Sequence, residues 1–389
     1  MDKSIIVLFG STGDLAKKKI LPALSELYKK NLLNCPIACI GRRELEKEQY
    51  IKLMEINNNK FADNLYYVRT DFEDSLKFKK EIEKIKDKCQ CRKIIFYLAT
   101  SSELFVPIVE FINGASLINK SIFCFEKPFG SNLESAENIY NEILKHVKKE
   151  NIYFADHYLG KDMVYNLQKI RESKELAGIW EKECAESLEI NLIENFGIEG
   201  RGEYYDKTGA IKDVVQNHIL QIIALLFSTR PIAKEKAEVI NSLSIPLPKD
   251  IIIGQYEGYK SEKDVSPNSK TETFIAFKTS SHKSSIYVKT GKFLDKKATY
   301  FIIKSETHKI IINVYPEQNV LLDGKEIYRL NNKTTDYENI FLDLIKEEKN
   351  RFVSWHEIQA SWEFTDKLIR QARKQKLHIY KKGSHGPNN

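Results

Sequence analysis

The stretch Ile5-Ile6-Val7-Leu8-Phe9-Gly10-Ser11-Thr12-Gly13-Asp14-Leu15-Ala16 decides the fold. Five apolar residues in a row read as a strand buried on both faces, and the polar, glycine-punctuated run after them reads as a turn into a helix. Gly10 allows the tight turn, Gly13 lets the backbone approach a pyrophosphate at the positive end of the helix, and Ala16 permits close helix-to-strand packing. A glycine turn alone is common. Its place directly after the first strand makes Gly10, Ser11, Thr12, Gly13, Asp14 and Leu15 the expected dinucleotide-binding segment.

Working outward, short apolar runs at residues 37–40, 94–98 and 122–125 alternate with charged segments of helical period. That is the pattern of a parallel sheet covered by helices, and it assigns a Rossmann-type domain to residues 1–155. From 156 to 389 the pattern changes. A buried helix at 211–227 is followed by alternating strands at 272–277, 285–289 and 309–314, which predicts an α+β domain on a large, mainly antiparallel sheet. Residues 259–269, polar and rich in turn formers, read as a surface loop. The fold class is therefore α/β followed by α+β.

The chain has 389 residues, 42% of them hydrophobic, enough for two cores. Its net charge of +7 comes from 61 basic and 54 acidic residues spread along the chain, which fits a phosphorylated small molecule better than nucleic acid. The six cysteines, 35, 39, 89, 91, 124 and 184, have neither the density nor the context of a disulfide framework, and the pair at 89 and 91 has no companion pair to complete a metal site. No metal is expected. Met1-Asp2-Lys3 leads straight into the first strand, leaving no room for a signal peptide, and the apolar run at 219–227 is too short to cross a membrane. The expectation is a soluble, cytoplasmic protein with no membrane partner.

Cofactor choice is read after the second strand. There Ile40-Gly41-Arg42-Arg43 offers guanidinium groups and no acid, which suits the 2′-phosphate of NADP rather than a bare ribose hydroxyl. In Phe125-Glu126-Lys127-Pro128, Lys127 lies at the carboxyl edge of the sheet, where ligands of this fold bind, and Pro128 is compatible with a cis bond. Asp156-His157-Tyr158-Leu159-Gly160-Lys161 gathers three donors within five residues. On a helix starting there, His157 and Lys161 would share a face and clamp a phosphate. The helix at 208–227 is apolar on most sides, yet Asp213, Gln216, Asn217, His218 and Gln221 interrupt it. Buried polar groups need partners, and a hydroxyl-rich sugar supplies them. Asp213 and His218 would lie ~7.5 Å apart along an α-helical axis.

Together these segments resemble the glucose-6-phosphate dehydrogenase family along essentially the whole chain. The resemblance rests on the turn at 10–19, Glu-Lys-Pro-Phe-Gly at 126–130, Asp-His-Tyr-Leu-Gly-Lys at 156–161 and Glu-Gly-Arg-Gly at 199–202. It continues through Asp-Val-Val-Gln-Asn-His at 213–218, Gly-Gln-Tyr at 254–256, Gly291-Lys292 and Gly-Ser-His-Gly-Pro at 383–387. It implies that His218 is the general base and that Asp156 orients it. It further implies that His157, Tyr158 and Lys161 hold the sugar phosphate, and that Lys127, Glu194, Asp213, Lys292 and Lys296 hold the sugar, with Lys127 standing between sugar and coenzyme. Arg42 becomes the reader of the 2′-phosphate. The implied reaction is oxidation of glucose 6-phosphate at carbon 1 to 6-phosphogluconolactone, the first step of the oxidative pentose phosphate pathway. NADP is the implied coenzyme and NAD a weaker alternative, in a homodimer or homotetramer formed through the large sheet.

The chain departs from the family's pattern at a few positions. Ser101 and Ser102 replace a usual Pro-Pro pair, Phe105 a common tyrosine beside the coenzyme, and Tyr315 a glutamine that touches sugar. Tyr315 keeps open a dehydrogenase for another hexose 6-phosphate, and a non-catalytic NADP-binding regulator is the reading from a different class. Phe301 and Asn313 stand where larger members carry arginines for a second, structural NADP, although Lys297 remains.

Overall fold

A computed structural model describes residues 3–177, 187–230, 232–281, 284–331 and 334–387; Cys184 lies outside them. The chain forms two compact units, one of Met1–Gly130, Glu134–Gly160 and Thr334–Trp355, the other of Ser131–Leu133, Lys161–Lys333 and His356–Asn389.

The first unit is built on a sheet of β1 (Ser4–Phe9), β2 (Ile37–Gly41), β3 (Leu65–Arg69), β4 (Lys93–Leu98), β5 (Ser121–Phe125), β6 (Ile152–Ala155) and the late strand β15 (Phe352–Val353). The order is β15-β6-β5-β4-β1-β2-β3, parallel throughout except that β15 runs antiparallel to β6. Every residue of β1 is buried, as helices on both faces of a parallel sheet require. Because β2 lies on one side of β1 and β4 on the other, the strand order reverses at the carboxyl end of β1, where this class of sheet opens a crevice for a ligand.

A reading in contiguous blocks puts the boundary at 155/156 and leaves residues 334–355 in the second domain. The structure returns that segment to the first unit. Its helix, Asp336–Lys346, starts at a capping box of Thr335 and Glu338 and buries Tyr337, Ile340, Phe341 and Leu344, a stripe at helical spacing. Phe341 stacks on Tyr97 of β4 at 4.8 Å, and Lys30 pairs with the buried Glu338 at 2.5 Å. Both partners, Tyr97 on β4 and Lys30 after the first helix, belong to the first unit, which overrides sequence order.

The second unit carries β7 (Ser187–Ile193), β8 (Ile251–Tyr256), β9 (Phe274–Ser281), β10 (Ser284–Gly291), β11 (Ala298–Lys304), β12 (Lys309–Tyr315), β13 (Asn319–Leu322), β14 (Lys325–Arg329) and β16 (Leu377–Tyr380). They pair in the order β14-β13-β12-β11-β7-β10-β9-β8-β16; β7 with β10 and β8 with β16 are parallel, and the other pairs are antiparallel. The helical stretch Gly202–Phe227 is 26 residues long and apolar enough to span a membrane by length and composition, longer than the run read from the sequence. Most of its apolar window, 78%, is buried, as in a core helix. Residues 259–269 form a connection, mostly exposed, that starts with one short 3-10 helix, Tyr259–Ser261, and buries Tyr259, Val265 and Ser269.

Candidate active site

In the first unit the glycine turn is set by close approach of neighbouring chain. Gly10 has φ +75°, and a Cβ there would lie 2.3 Å from the Ala99 carbonyl at the end of β4. The Gly13 N–H donates to the Gly10 carbonyl at 3.0 Å, and the Ser11 hydroxyl donates to the Ile40 carbonyl at 2.9 Å, pinning the turn to β2. Gly13 and Asp14 are exposed where the helix begins. This cradle fits a dinucleotide pyrophosphate, since a side chain at Gly10 would clash and the start of the helix is open to solvent. Gly41 continues the fit. A Cβ on it would meet the Tyr67 hydroxyl at 2.6 Å and Thr12 at 3.2 Å, so the end of β2 runs beside the turn and delivers Arg42 and Arg43, both exposed, next to it.

Lys127 is half-buried at the end of β5, and its bond to Pro128 is cis. Beside it, Glu126 is buried and accepts from the Tyr97 hydroxyl at 2.5 Å and the Tyr337 hydroxyl at 3.1 Å. Burial pushes its carboxyl up to about 7, against the pull of those two phenols and of Lys127. The Tyr337 ring lies parallel to the His157 ring at 6.1 Å, and Tyr158 meets His157 edge-on at 5.1 Å. Glu126 lies in the Glu-Lys-Pro-Phe-Gly run, but its pairing with Tyr337, 211 residues on, is not recognisable from sequence. The only signal for Tyr337 is the capping box that starts its helix. Phe105 is fully buried against Phe125 and Phe129, at 5.0 and 5.6 Å, so it contributes to an aromatic core.

Asp156, 1% exposed at the end of β6, accepts the Tyr158 N–H at 2.9 Å and so caps the short helix His157–Gly160. That helix stops at Gly160, which corrects the expectation of one continuous face. A Cβ on Gly160 would lie 2.3 Å from the Asp336 carbonyl, and the Asn339 amide donates to the Gly160 carbonyl at 2.9 Å in place of a continuing helix. Lys161 is consequently extended (φ −71°, ψ 123°) and caps the next helix, Asp162–Tyr165. His157 and Lys161 are not on one helical face.

In the second unit the helical stretch bends at Gly209 (φ 64°, ψ 179°), a conformation suited to glycine. Beyond the bend, the Ala210 N–H donates to the Glu272 main-chain carbonyl and the Ile211 N–H to its carboxylate, each at 3.0 Å. Glu272 thereby caps the helix from another strand end, a role that local sequence does not reveal. Residues Ile211–Ile219 are π-helical, and the Leu220 N–H reaches the Val215 carbonyl five residues back. This changes the expected spacing. In an α-helix Asp213 and His218 would diverge by about 140°, whereas hydrogen bonds from i to i+5 place them one turn apart on the same face. Asp213, Gln216, Asn217, His218 and Gln221 are all at least nine-tenths buried. At the end of β7, Glu194 accepts from Lys292 at 2.6 Å; Lys292 is 2% exposed, with its ammonium 5.4 Å from the Phe196 ring and 5.1 Å from the Tyr205 ring. Lys296 is instead exposed, over the Tyr300 ring at 5.4 Å. Tyr315 is 42% exposed beneath the Lys297 ammonium.

The arrangement offers a nucleotide cradle on one unit, and on the other a buried imidazole and carboxylate and a lysine–carboxylate pair. The family models for the glucose-6-phosphate dehydrogenase NAD binding domain and C-terminal domain match residues 7–166 and residues 172–323 with 315–389. The chain belongs to the glucose-6-phosphate dehydrogenase family. It is 31% identical to the glucose-6-phosphate 1-dehydrogenase of Helicobacter pylori, over 98% of this chain and 96% of that protein. With the Streptococcus pneumoniae protein of the same description it shares 29%, over 99% and 94%. The crystal structure of the Mycobacterium avium glucose-6-phosphate 1-dehydrogenase superposes with a TM-score of 0.88 at 27% identity, covering 99% of this chain and 95% of that one. A glucose-6-phosphate dehydrogenase in complex with glucose 6-phosphate also superposes at 0.88, with 26% identity and coverage of 100% and 96%. More distant likenesses, such as a Gfo/Idh/MocA family oxidoreductase from Vibrio cholerae at 11% identity and a TM-score of 0.54, share the fold alone. The chain is thus an oxidoreductase with the family's two-domain architecture.

Proposed function

We propose that this chain oxidises D-glucose 6-phosphate at carbon 1 to 6-phospho-D-glucono-1,5-lactone, with NADP as the hydride acceptor. The observation that carries this reading is the family match across both units in a chain that keeps a buried His218 on the same helical face as Asp213. His218 takes the proton of the carbon-1 hydroxyl as the carbon–hydrogen pair departs as hydride, leaving a carbon–oxygen double bond. NADP, held by the turn at 10–15 and by Arg42, would supply the nicotinamide ring that takes up that hydride. Asp156 supplies the carboxylate that orients His218 and stabilises its charged form, a role supported by its burial at a strand end. His157, Tyr158 and Lys161 hold the phosphate, while Lys127, Glu194, Asp213, Lys292 and Lys296 hold and orient the sugar. The reading of Lys292 as a sugar contact is supported by its ion pair with Glu194 at 2.6 Å.

NADP rather than NAD is supported by the exposed Arg42 beside the turn and by the absence of an acid in Ile40-Gly41-Arg42-Arg43. Self-association into a homodimer or homotetramer is supported by one face of the large sheet. Across it, Lys278, Tyr287, Glu189, Ile302, Ile311 and Leu321 form one transverse row, none of them buried. A cytoplasmic location accords with the five described cysteines being free thiols. Initial rates of NADP reduction with glucose, galactose and glucosamine 6-phosphates test the assignment. Preference for glucose 6-phosphate supports it, and preference for another hexose phosphate would move the substrate as the Tyr315 departure allows.

A further inference from the structure

The Gly-Ser-His-Gly-Pro motif at 383–387 has no place in the chemistry above, yet the structure gives it a specific position. Four successive residues after β10, Lys292 to Asp295, are each engaged by the chain's C-terminal segment. The Tyr380 hydroxyl donates to the Lys292 carbonyl at 2.7 Å. The Gly383 N–H donates to the Phe293 carbonyl at 2.8 Å, and the Lys382 ammonium sits 4.3 Å from the Phe293 ring. Leu294 forms a bridge with Ser384, and Asp295 pairs with His385 at 3.2 Å.

The fit leaves little freedom at the end of the segment. A Cβ on Gly386, which has φ +100°, would lie 2.4 Å from the Phe274 ring, and one on Gly254 would lie 2.6 Å from Pro387. Tyr380 is 3% exposed, and its hydroxyl also contacts the Thr273 hydroxyl at 2.9 Å, so strand, turn and C-terminal segment meet at one buried oxygen. The exposed His385–Asp295 pair contributes little by itself, since water screens such contacts. The buried Tyr380 bond bears directly on the main chain of Lys292, whose ammonium is held separately by Glu194.

We propose that residues 377–387 form a strap that positions Lys292 for the sugar, with Tyr380 as its principal positioning residue. The proposal rests on the reading of Lys292 as a sugar contact. Backbone held by Tyr380 and ammonium held by Glu194 together fix the lysine before the sugar arrives, so the cost of ordering it is not charged against binding.

The test compares Tyr380→Phe, removal of residues 383–389, Lys292→Met and the double variant Lys292→Met/Tyr380→Phe in steady-state kinetics and thermal unfolding. Y380F keeps the ring and removes the hydroxyl. It should raise KM for glucose 6-phosphate about three- to tenfold, as expected for one buried hydrogen bond, with kcat and KM for NADP within about twofold of the parent. Truncation should act in the same direction. In the K292M background Y380F should add nothing to KM. An unchanged KM in Y380F alongside a raised KM in K292M would overturn the strap, and so would a Y380F loss shared equally by kcat and both KM values, which marks a merely structural role. An unchanged KM in K292M would overturn the underlying reading of Lys292, and the strap's role with it.

Discussion

Glu126 and Arg42 show how single residues are tuned by what surrounds them. Glu126 is buried, and its carboxyl is pushed from its ordinary 4.5 to about 7, chiefly by burial. Between those pH values the folded protein holds a proton that the unfolded chain has lost. Stability must therefore fall as pH rises through that window. Glu126→Gln has no proton to lose, so its denaturant-derived stability relative to the parent should rise from pH 5 to pH 8. A difference that stays flat with pH would show that Glu126 is not held protonated. Arg42 makes a simpler prediction. Arg42→Ala should weaken NADP by ~1.5–3 kcal/mol and NAD far less, as expected for a lost charge-assisted contact to a 2′-phosphate. Equal losses for both coenzymes, by equilibrium binding, would remove it from that role.

At the scale of elements, the helix carrying His218 depends on its bend and its cap. Gly209 occupies a conformation nearly closed to other residues, and a Cβ there would lie 2.4 Å from the Glu272 carboxylate that caps the next turn. Gly209→Ala should cost ~1–3 kcal/mol of stability and lower kcat by shifting the π-helical segment. Parental stability and turnover would mean that the bend does not set the helix. Sequence made much of this element legible. Its all-round apolar surface, broken by Asp213 and His218, marks a buried helix that carries polar work. The π-helical segment was not legible, because hydrogen-bond register along a helix depends on the cap at Glu272, which lies 61 residues beyond Ile211. For the same reason the break after Gly160 is not legible: it is imposed by Asp336 and Asn339, far along the chain.

Taken whole, the molecule divides more simply in sequence than in space. The parallel strands and the glycine turn are local signals, and they are where the sequence reading expects them. The return of residues 334–355 to the first unit is non-local. Its capping box and apolar stripe predict a helix but not which core it joins, a choice made by Phe341 against Tyr97 and by Lys30 against Glu338. The second unit bears on coenzyme stoichiometry. Phe301 is fully buried and the Asn313 amide donates to Asn319 at 2.8 Å, so neither offers a cation where larger relatives are expected to hold a structural dinucleotide. Equilibrium binding should give one NADP per subunit, and thermal stability should saturate along a single-site curve. Two NADP per subunit would contradict this. The central claim is that His218 drives oxidation of glucose 6-phosphate by NADP. Its most direct test is the rate of NADP reduction with glucose 6-phosphate in the parent and in His218→Asn. The account predicts robust turnover in the parent and a kcat at least ~100-fold lower in the variant, with glucose 6-phosphate still bound; near-equal turnover in the two would contradict it.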